Sequence, residues 1–239
     1  MLAELRGAVV PGVTTLELDR LAEAGARRRG AEPAFKGYHG YPASLCASVN
    51  EEVVHGIPSS TRVLREGDII GLDFGVVLEG FYGDAAITLP VGEVSDEARR
   101  LLETTRAALE AAVAEACPER RIGDLGAAVQ RRVEASGFSV VRDFVGHGIG
   151  RRLHEPPQIP NFGTPGTGPR LRAGMALAIE PMVNVGRCEV ETRPDGWTAF
   201  TVDGQLSAHF EHTVLVTENG PEILTLAPVA PYEVRGGVH

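Results

Sequence analysis

Four acidic side chains interrupt stretches of apolar residues, where a charge is unusual. Asp73 lies in IIGLDFGVV and Asp84 in YGDAAITL, while Glu180 lies in MALAIEPMV and Glu211 in SAHFEHTVLV. Buried carboxylates repel each other and lose their hydration, so a fold that gathers them needs a compensating cation. His147, between the glycines of VGHGIG, adds an imidazole nitrogen. These five residues are the candidate ligands of a metal centre.

Four carboxylates and one imidazole favour a hard or borderline divalent ion, namely Co, Mn, Fe or Zn. This is more than one ion requires, so we expect two ions that share carboxylates and activate a water molecule for hydrolysis. The alternative for Asp73 and Asp84 is that they are solvated or salt-bridged strand residues.

Two further histidines could donate a hydrogen bond to a substrate. His55 lies in VHGIP, and His154 precedes a proline-rich stretch. We assign no chemical role to the remaining histidines, which are His39, His209, His212 and His239.

Helix signals and strand signals alternate along the chain. Thr14 and Glu17 predict a capping box, Ser95 predicts an N-cap, and Gly137 predicts a C-cap. The predicted helices cover roughly 14–29, 95–117 and 124–136. The stretch 155–170 is rich in proline and glycine, so we expect a loop there.

Strand-like runs occur in two pairs. Runs 68–77 and 83–89 flank a four-residue turn and predict a hairpin in which Asp84 lies opposite Gly75. Asp73 and Gly75 share a face of the strand, so Asp73 and Asp84 are expected to be diagonal neighbours. Runs 175–183 and 209–217 form the second pair, and the insertion 184–204 between them contains Trp197.

An internal repeat relates the two ends of the chain. Pro11, Leu18, Arg65, Gly67 and Asp73 recur at one constant offset as Pro118, Leu125, Arg172, Gly174 and Glu180. We therefore expect one catalytic domain, 1–239, with two pseudo-symmetric halves of roughly 1–117 and 118–239. Each half would carry helices followed by an antiparallel hairpin, with a ligand cleft at their junction.

The spacing of the acidic residues departs from this symmetry. Asp73 and Asp84 lie close together in the sequence, whereas Glu180 and Glu211 are separated by a much longer stretch. The additional residues between Glu180 and Glu211 include Trp197. We expect them to convert a symmetric metal site into a selective substrate pocket.

Composition excludes several classes of protein. The formal net charge of −9 argues against tight binding to nucleic acid. The three cysteines form no CxxC pair, and we expect reduced thiols. The N-terminal stretch does not look like a signal peptide, and no apolar run reaches the ~18 residues of a membrane span. We expect a cytoplasmic enzyme.

Seven stretches give the chain a resemblance to the type I methionine aminopeptidases, which have the α+β pita-bread fold. This fold places antiparallel sheets under helices on the outer face. The stretches are Tyr38–Pro42 (YHGYP), Cys46–Pro58 (CASVNEEVVHGIP), 67–84, 145–163 (VGHGIGRRLHEPPQIPNFG), 178–184 (AIEPMVN), 195–198 (DGWT) and 211–225.

The resemblance implies a role for each site residue. Asp73 would bind one metal, His147 and Glu180 the other, and Asp84 and Glu211 both. Glu180 would also act in catalysis with His55 and His154, which contact substrate at the scissile amide. The residues implied to line the methionine pocket are Phe35, Tyr38, Tyr41, Leu153 and Trp197.

The family's first helix usually begins earlier than Leu2, and the family more often has Cys and Phe at the positions of Phe35 and Leu153. The implied substrates are nascent chains and peptides with N-terminal Met and a small second residue. We expect a monomer that contacts the ribosome transiently, without stable nucleic acid or membrane partners.

Three competing hypotheses remain at this level. The first is a prolidase or X-Pro aminopeptidase, although YHGYP and HGIP fit the methionine enzymes better. The second is a binding protein that lost its metals, although all five ligand positions are intact. The third is a nucleic-acid-binding or ribosome-binding protein, against which the net acidity argues.

Overall fold

The structure, a computed structural model, describes residues 1–226 and shows an antiparallel α+β protein. The helices are α1 Leu2–Ala8, α2 Thr15–Arg28, α3 Asp96–Ala114 and α4 Ile122–Glu134. The strands are β1 Glu32–Pro33, β2 Cys46–Val49, β3 Glu52–Val54, β4 Ile69–Asp73, β5 Val76–Leu78, β6 Phe81–Gly83, β7 Ala86–Pro90, β8 Ser139–Val140, β9 Gly146–Gly148, β10 Glu155–Ile159, β11 Ala176–Ile179, β12 Met182–Asn184, β13 Val190–Thr192, β14 Ala199–Thr201, β15 Ser207–His209, β16 His212–Thr217 and β17 Gly220–Ile223.

The three predicted helices are confirmed. Thr14 and Glu17 form the expected capping box of α2, and the Ser95 hydroxyl accepts the Ala98 N–H at the start of α3. Gly137 follows α4 with a φ of +81°, as its predicted capping role requires. The short helix α1 was not predicted, because no side chain caps its start and it has only two turns.

The strands form several small antiparallel sheets, of which two lie beside the candidate metal ligands. One has the order β2-β4-β7, and the other has the order β10-β9-β11-β16-β17. Strand β10 corrects the expectation of a loop over 155–170. It lies at the edge of its sheet, where prolines are tolerated because one side has no partner strand.

Each sheet packs its helices on one face. In the first half, Ile70 and Leu72 of β4 join Leu18 and Ala22 of α2 in one buried cluster. Because strand side chains alternate, Asp73 leaves the face opposite to α2. In the second half, α3 and α4 build a larger buried cluster with the apolar residues of β11 and β16.

The helices repeat at the offset found in the sequence. Helix α2 begins at Thr15 and α4 at Ile122, which are separated by the same offset as Asp73 and Glu180. The last residues of α1 and α3 match nearly as closely. Helix α3 is thus the counterpart of α1, so we propose that the second repeat unit starts before α3 rather than at 118.

Two further features concern the chain as a whole. Cys46, Cys117 and Cys188 are free thiols. Within residues 1–226, every helix is too short or too polar to cross a membrane. His239 lies outside the described residues.

Candidate metal centre and substrate pocket

Asp73 and Asp84 lie where the first hairpin passes from one sheet to another. Asp73 pairs with Ala86 in the sheet of β4, whereas Val76 pairs with Gly83 in the sheet of β5. The register is the same on both sides of the break, so Asp84 lies opposite Gly75, as predicted. The sequence alone shows one long strand at each place because the apolar alternation continues through the break.

Glu180 and Glu211 lie at the corresponding break of the second hairpin. Ile179 pairs with His212 in one sheet, and Met182 pairs with His209 in another. This register places Glu180 opposite Glu211. Four carboxylates therefore occupy the two places where paired strands leave their sheets, which frees their side chains to converge.

The register also identifies equivalent positions on the second strands of the hairpins. Because Ala86 lies opposite Asp73 and Glu211 opposite Glu180, Glu211 is the counterpart of Ala86. The same shift along the chain relates Asp84 to His209. The sequence comparison of the Asp73–Asp84 spacing with the Glu180–Glu211 spacing treats Asp84 and Glu211 as equivalent positions. The strand register shows that they are not equivalent. The second hairpin is the longer one, so the offset between the halves is larger for the second strands than for the first.

The two hairpins are joined across the centre by hydrogen bonds of matching pattern. Ala86 and Glu211 exchange backbone N–H and carbonyl groups at 3.4 and 2.9 Å. The Thr213 hydroxyl accepts the Asp84 N–H at 3.0 Å and donates to the Asp84 carbonyl at 2.8 Å. Thr88 makes the same pair of bonds to His209, at 2.9 and 2.7 Å. These bonds fix the backbone of Asp84, Glu211 and His209.

The four carboxylates share one buried region, in which no lysine or arginine of residues 1–226 pairs with them. Burial raises the pKa of Asp73, Glu180 and Glu211 well above the ordinary range, and the neighbouring carboxylates add to the effect. Burial also raises the pKa of Asp84 to about 7. Within residues 1–226, the ion pairs of these carboxylates involve only histidines, at Glu180. Their shared charge is therefore uncompensated by the described part of the protein.

His147 lies at the centre of β9, between the two neighbouring strands β10 and β11. A Cβ atom at Gly146 would clash with the Ala178 carbonyl, and one at Gly148 would clash with the Pro156 carbonyl. Glycine is therefore required on both sides of His147, because the backbones of the neighbouring strands approach closely there. Burial lowers the pKa of His147 to about 4, so the ring is neutral and able to bind a metal.

All the predicted site residues border one cavity of about 250 Å³. Its lining consists of Phe35, Tyr38, His39, Tyr41, Cys46, His55, Asp73, Asp84, His147, Leu153, His154, Glu180, Trp197 and Glu211. The structure therefore brings together the candidate ligands, both candidate catalytic histidines and the expected pocket residues.

His154 and His55 approach this cavity from different sides. The Tyr38 hydroxyl lies 2.7 Å from Nδ1 of His154, and the His154 ring contacts His147 with 4.3 Å between ring centroids. His55 has a φ of +61°, a strained conformation for a residue with a side chain. Burial lowers the pKa of His55 to about 4, with a smaller contribution from His154.

The apolar end of the cavity depends on the insertion in the second hairpin. Strand β14 crosses to the first half and pairs with β3, with Ala199 opposite Val54. The preceding turn is held by Asp195, whose carboxylate accepts the N–H groups of Trp197 and Thr198. Trp197 then packs edge-on against Tyr41, with 5.1 Å between ring centroids.

Three neighbours of the site were not predicted from the sequence. His39 and Cys46 line the cavity, and His209 is buried with its Nε2 atom 3.6 Å from Glu180 Oε2. The signal for His209 is its match to Asp84 once the second strands of the hairpins are aligned through Thr88 and Thr213. By contrast, His212 bonds the Thr225 hydroxyl through Nδ1, at 2.9 Å, which agrees with the absence of a predicted chemical role.

The arrangement fits a divalent metal. One ligand atom each from Asp84, His147 and Glu211 lie within 4.8 Å of one another. Buried oxygens of Asp73, Asp84 and Glu211 have no hydrogen-bond donor within residues 1–226. A divalent cation satisfies these oxygens and removes the repulsion among the carboxylates.

The model of metallopeptidase family M24 matches residues 1–218. A methionine aminopeptidase from Clostridium perfringens is 55% identical over 222 residues, which cover 93% of this chain and 89% of that protein. A methionine aminopeptidase crystal structure from Thermotoga maritima has a TM-score of 0.93 at 53% identity, covering 95% of this chain and 91% of that chain. The prolidase from Pyrococcus furiosus has a TM-score of 0.76 at 23% identity, covering 95% of this chain and 59% of that chain. That likeness shows the fold alone, and together these structures confirm the predicted pita-bread fold.

Proposed function

Because the chain belongs to metallopeptidase family M24, we propose that it removes the N-terminal methionine from peptides and nascent chains whose second residue is small. It is a metal-dependent exopeptidase of the methionine aminopeptidase type. The observation that carries the proposed specificity is that one cavity joins five candidate metal ligands to an aromatic and apolar pocket. A prolidase activity is the competing candidate on this fold, and the identities of 55% and 53% against 23% favour the methionine enzymes.

The proposed site holds two divalent ions, Co, Mn, Fe or Zn. Asp73 would hold one ion, His147 and Glu180 the other, and Asp84 and Glu211 would contact both. Bound ions of this kind lower the pKa of a water molecule and polarise the carbonyl of the scissile bond. The four carboxylates, which the described protein leaves without a strong cation, support this assignment.

Glu180 is the candidate proton carrier. One of its oxygens, Oε1, lies 3.5 Å from Nε2 of His147, and the other, Oε2, points to His209. A carboxylate at this place can take a proton from the attacking water and deliver it to the leaving amine.

His154 is the candidate donor to the oxygen that becomes negative during attack. The Tyr38 hydroxyl can donate to Nδ1 of His154, which leaves the proton on Nε2 for the substrate. A donor placed in this way stabilises the developing charge by about 3 kcal/mol in comparable sites. His55 would contact the substrate on the side of Trp197, from which its ring centroid lies 6.3 Å.

The pocket selects the side chain of the first residue. Phe35, Tyr38, Tyr41, Leu153 and Trp197 would form its wall, and such a surface suits a flexible, unbranched thioether. We further propose that the protein acts in the cytoplasm as a monomer with transient access to the ribosome, since nascent chains are its substrates.

The decisive assay is release of the first residue from Met-Ala-Ser, Met-Gly and Ala-Pro peptides. Metal-stripped protein would be refilled with Co, Mn, Fe or Zn one ion at a time. We expect methionine release that returns with added metal and reaches its maximum at two ions per chain. Cleavage of Ala-Pro alone would overturn the methionine assignment, and full activity in the stripped protein would overturn the metal assignment.

A further inference from the structure

His209 is a buried histidine with no assigned role. It ends strand β15, its exposed fraction is 3%, and Nε2 has no hydrogen-bond partner within residues 1–226. Nε2 faces a carboxylate oxygen, Oε2 of Glu180, at 3.6 Å. Glu180 therefore lies between two imidazoles, because its Oε1 atom faces His147 at 3.5 Å.

The symmetry of the hairpins explains why His209 points to this cluster. His209 is the counterpart of Asp84, and each residue has its backbone N–H and carbonyl bound by one threonine hydroxyl from the other half. The same backbone geometry that directs Asp84 towards Asp73 thus directs His209 towards Glu180.

The position of the proton on the ring follows from its surroundings. A neutral imidazole carries its proton on one nitrogen only, and a charged one carries a proton on both. A lone pair on Nε2 would face the lone pairs of the Glu180 carboxylate and repel them. When Glu180 is ionised, as a metal ligand must be, Nε2 therefore carries a proton in either form of the ring, and it can donate to Oε2 once their 3.6 Å separation closes to hydrogen-bond distance.

We propose that His209 is a positioning residue that donates its Nε2 proton to Oε2 of Glu180 and so holds the carboxylate in the orientation needed to bind metal. The inference rests on the proposed metal-binding role of Glu180. Hydrogen bonds to ligand carboxylates commonly change metal affinity by about 10-fold to 100-fold when removed. His209 would also limit the freedom of the oxygen that Glu180 offers as a proton carrier.

A matched pair of variants separates the hydrogen bond from the packing of the ring. His209→Gln keeps an N–H donor, whereas His209→Met has a side chain of similar length without one. Metal-stripped full-length protein would be titrated with Mn²⁺ by calorimetry. We expect His209→Met to weaken Mn²⁺ binding about 10-fold to 100-fold and His209→Gln to remain within about threefold of the wild type. His212→Gln, one strand position beyond Glu211, is the control that keeps wild-type affinity.

Several results would overturn this role. Equal Mn²⁺ affinity in His209→Met and the wild type would show that the hydrogen bond is unimportant. Equal weakening in the Gln and Met variants, or equal loss of folding by circular dichroism, would show a role in packing. A wild type that binds no Mn²⁺ and releases no methionine would instead overturn the proposed function.

A double-mutant cycle tests whether His209 acts through Glu180. In a Glu180→Gln background, we expect His209→Met to change the residual Mn²⁺ affinity by less than about twofold. Fully additive losses would overturn the proposal, because they would show that His209 contacts the metal independently of Glu180.

Discussion

The two hairpins have the same backbone arrangement but present different side chains at equivalent positions. The first presents Asp73 and Asp84, and the second presents Glu180 and His209. The threonine hydroxyls that join the hairpins are the same on both sides. The repeated part of the molecule is therefore its scaffold, and the chemistry depends on where the repeat is broken.

Two more departures from the repeat lie in the second half. His147, opposite Ala178, occupies the place that Ser48, opposite Gly71, has in the first half. Glu211 stands where the first half has Ala86. A fully symmetric ligand set would treat the two ends of a substrate alike, whereas the proposed set would distinguish them.

Removing Asp84, one of the two proposed ligands from the first half, should have the largest effect. Asp84→Asn deletes a charge that is proposed to contact both ions, so we expect a loss of kcat/KM of about 1000-fold or more. Metal content by mass spectrometry should fall in parallel. A variant that kept two ions and full activity would show that Asp84 is not a ligand.

Removing His154, which is proposed to contact the substrate and not the metal, should have a smaller and different effect. We expect His154→Ala to lower kcat about 100-fold, as loss of a positioned proton donor does, while metal content stays at the wild-type level. Steady-state kinetics and metal analysis on the same preparation check this. Loss of metal would show that His154 is a ligand instead.

The shared scaffold is tested by the paired threonines. Thr88→Val and Thr213→Val keep the side-chain shape but leave a buried N–H and carbonyl without their partner. We expect each to lower the free energy of unfolding by about 2 kcal/mol. Urea unfolding of the metal-free variants measures this. A marked difference between the two variants in the loss of unfolding free energy would contradict the structural equivalence of Thr88 and Thr213.

The buried pair Asp73 and Asp84 also predicts that the stability of the metal-free protein depends on pH. Burial raises the pKa of Asp84 to about 7, above the value of about 4 in the unfolded chain. The folded protein favours the protonated form, so this stabilisation is fully present below pH of about 4 and is lost as the pH rises through 7. We expect the Tm of metal-free protein to fall by several degrees between about pH 5 and pH 8. Thermal unfolding in matched buffers measures the shift, and Asp84→Asn should reduce it.

Much of this architecture could be predicted from the sequence. The helix boundaries follow from local caps at Thr14, Ser95 and Gly137, and the position of Asp84 opposite Gly75 follows from one turn. The breaks in the hairpins could not be predicted, because they depend on which sheet each half of a strand joins. Strand β10 was missed because its edge position is a property of the whole sheet.

The candidate site shows the same division. Four of the five proposed ligands are visible as charges in apolar strands, His147 stands between glycines, and the pocket residues came from the family resemblance. His209 was missed because one buried histidine gives no signal by itself. Its place becomes apparent only when Thr88 and Thr213 align the second strands of the two hairpins, which differ in length.

The pairing of β14 with β3 has a consequence for how the protein forms. Val54 lies in the first quarter of the sequence and Ala199 in the last, so this strand pair closes only after most of the chain has been made. Contacts between such distant residues form slowly during folding. The wall that carries Trp197 can therefore be completed only after residue 199 has been made, later in synthesis than the proposed first-half ligands Asp73 and Asp84.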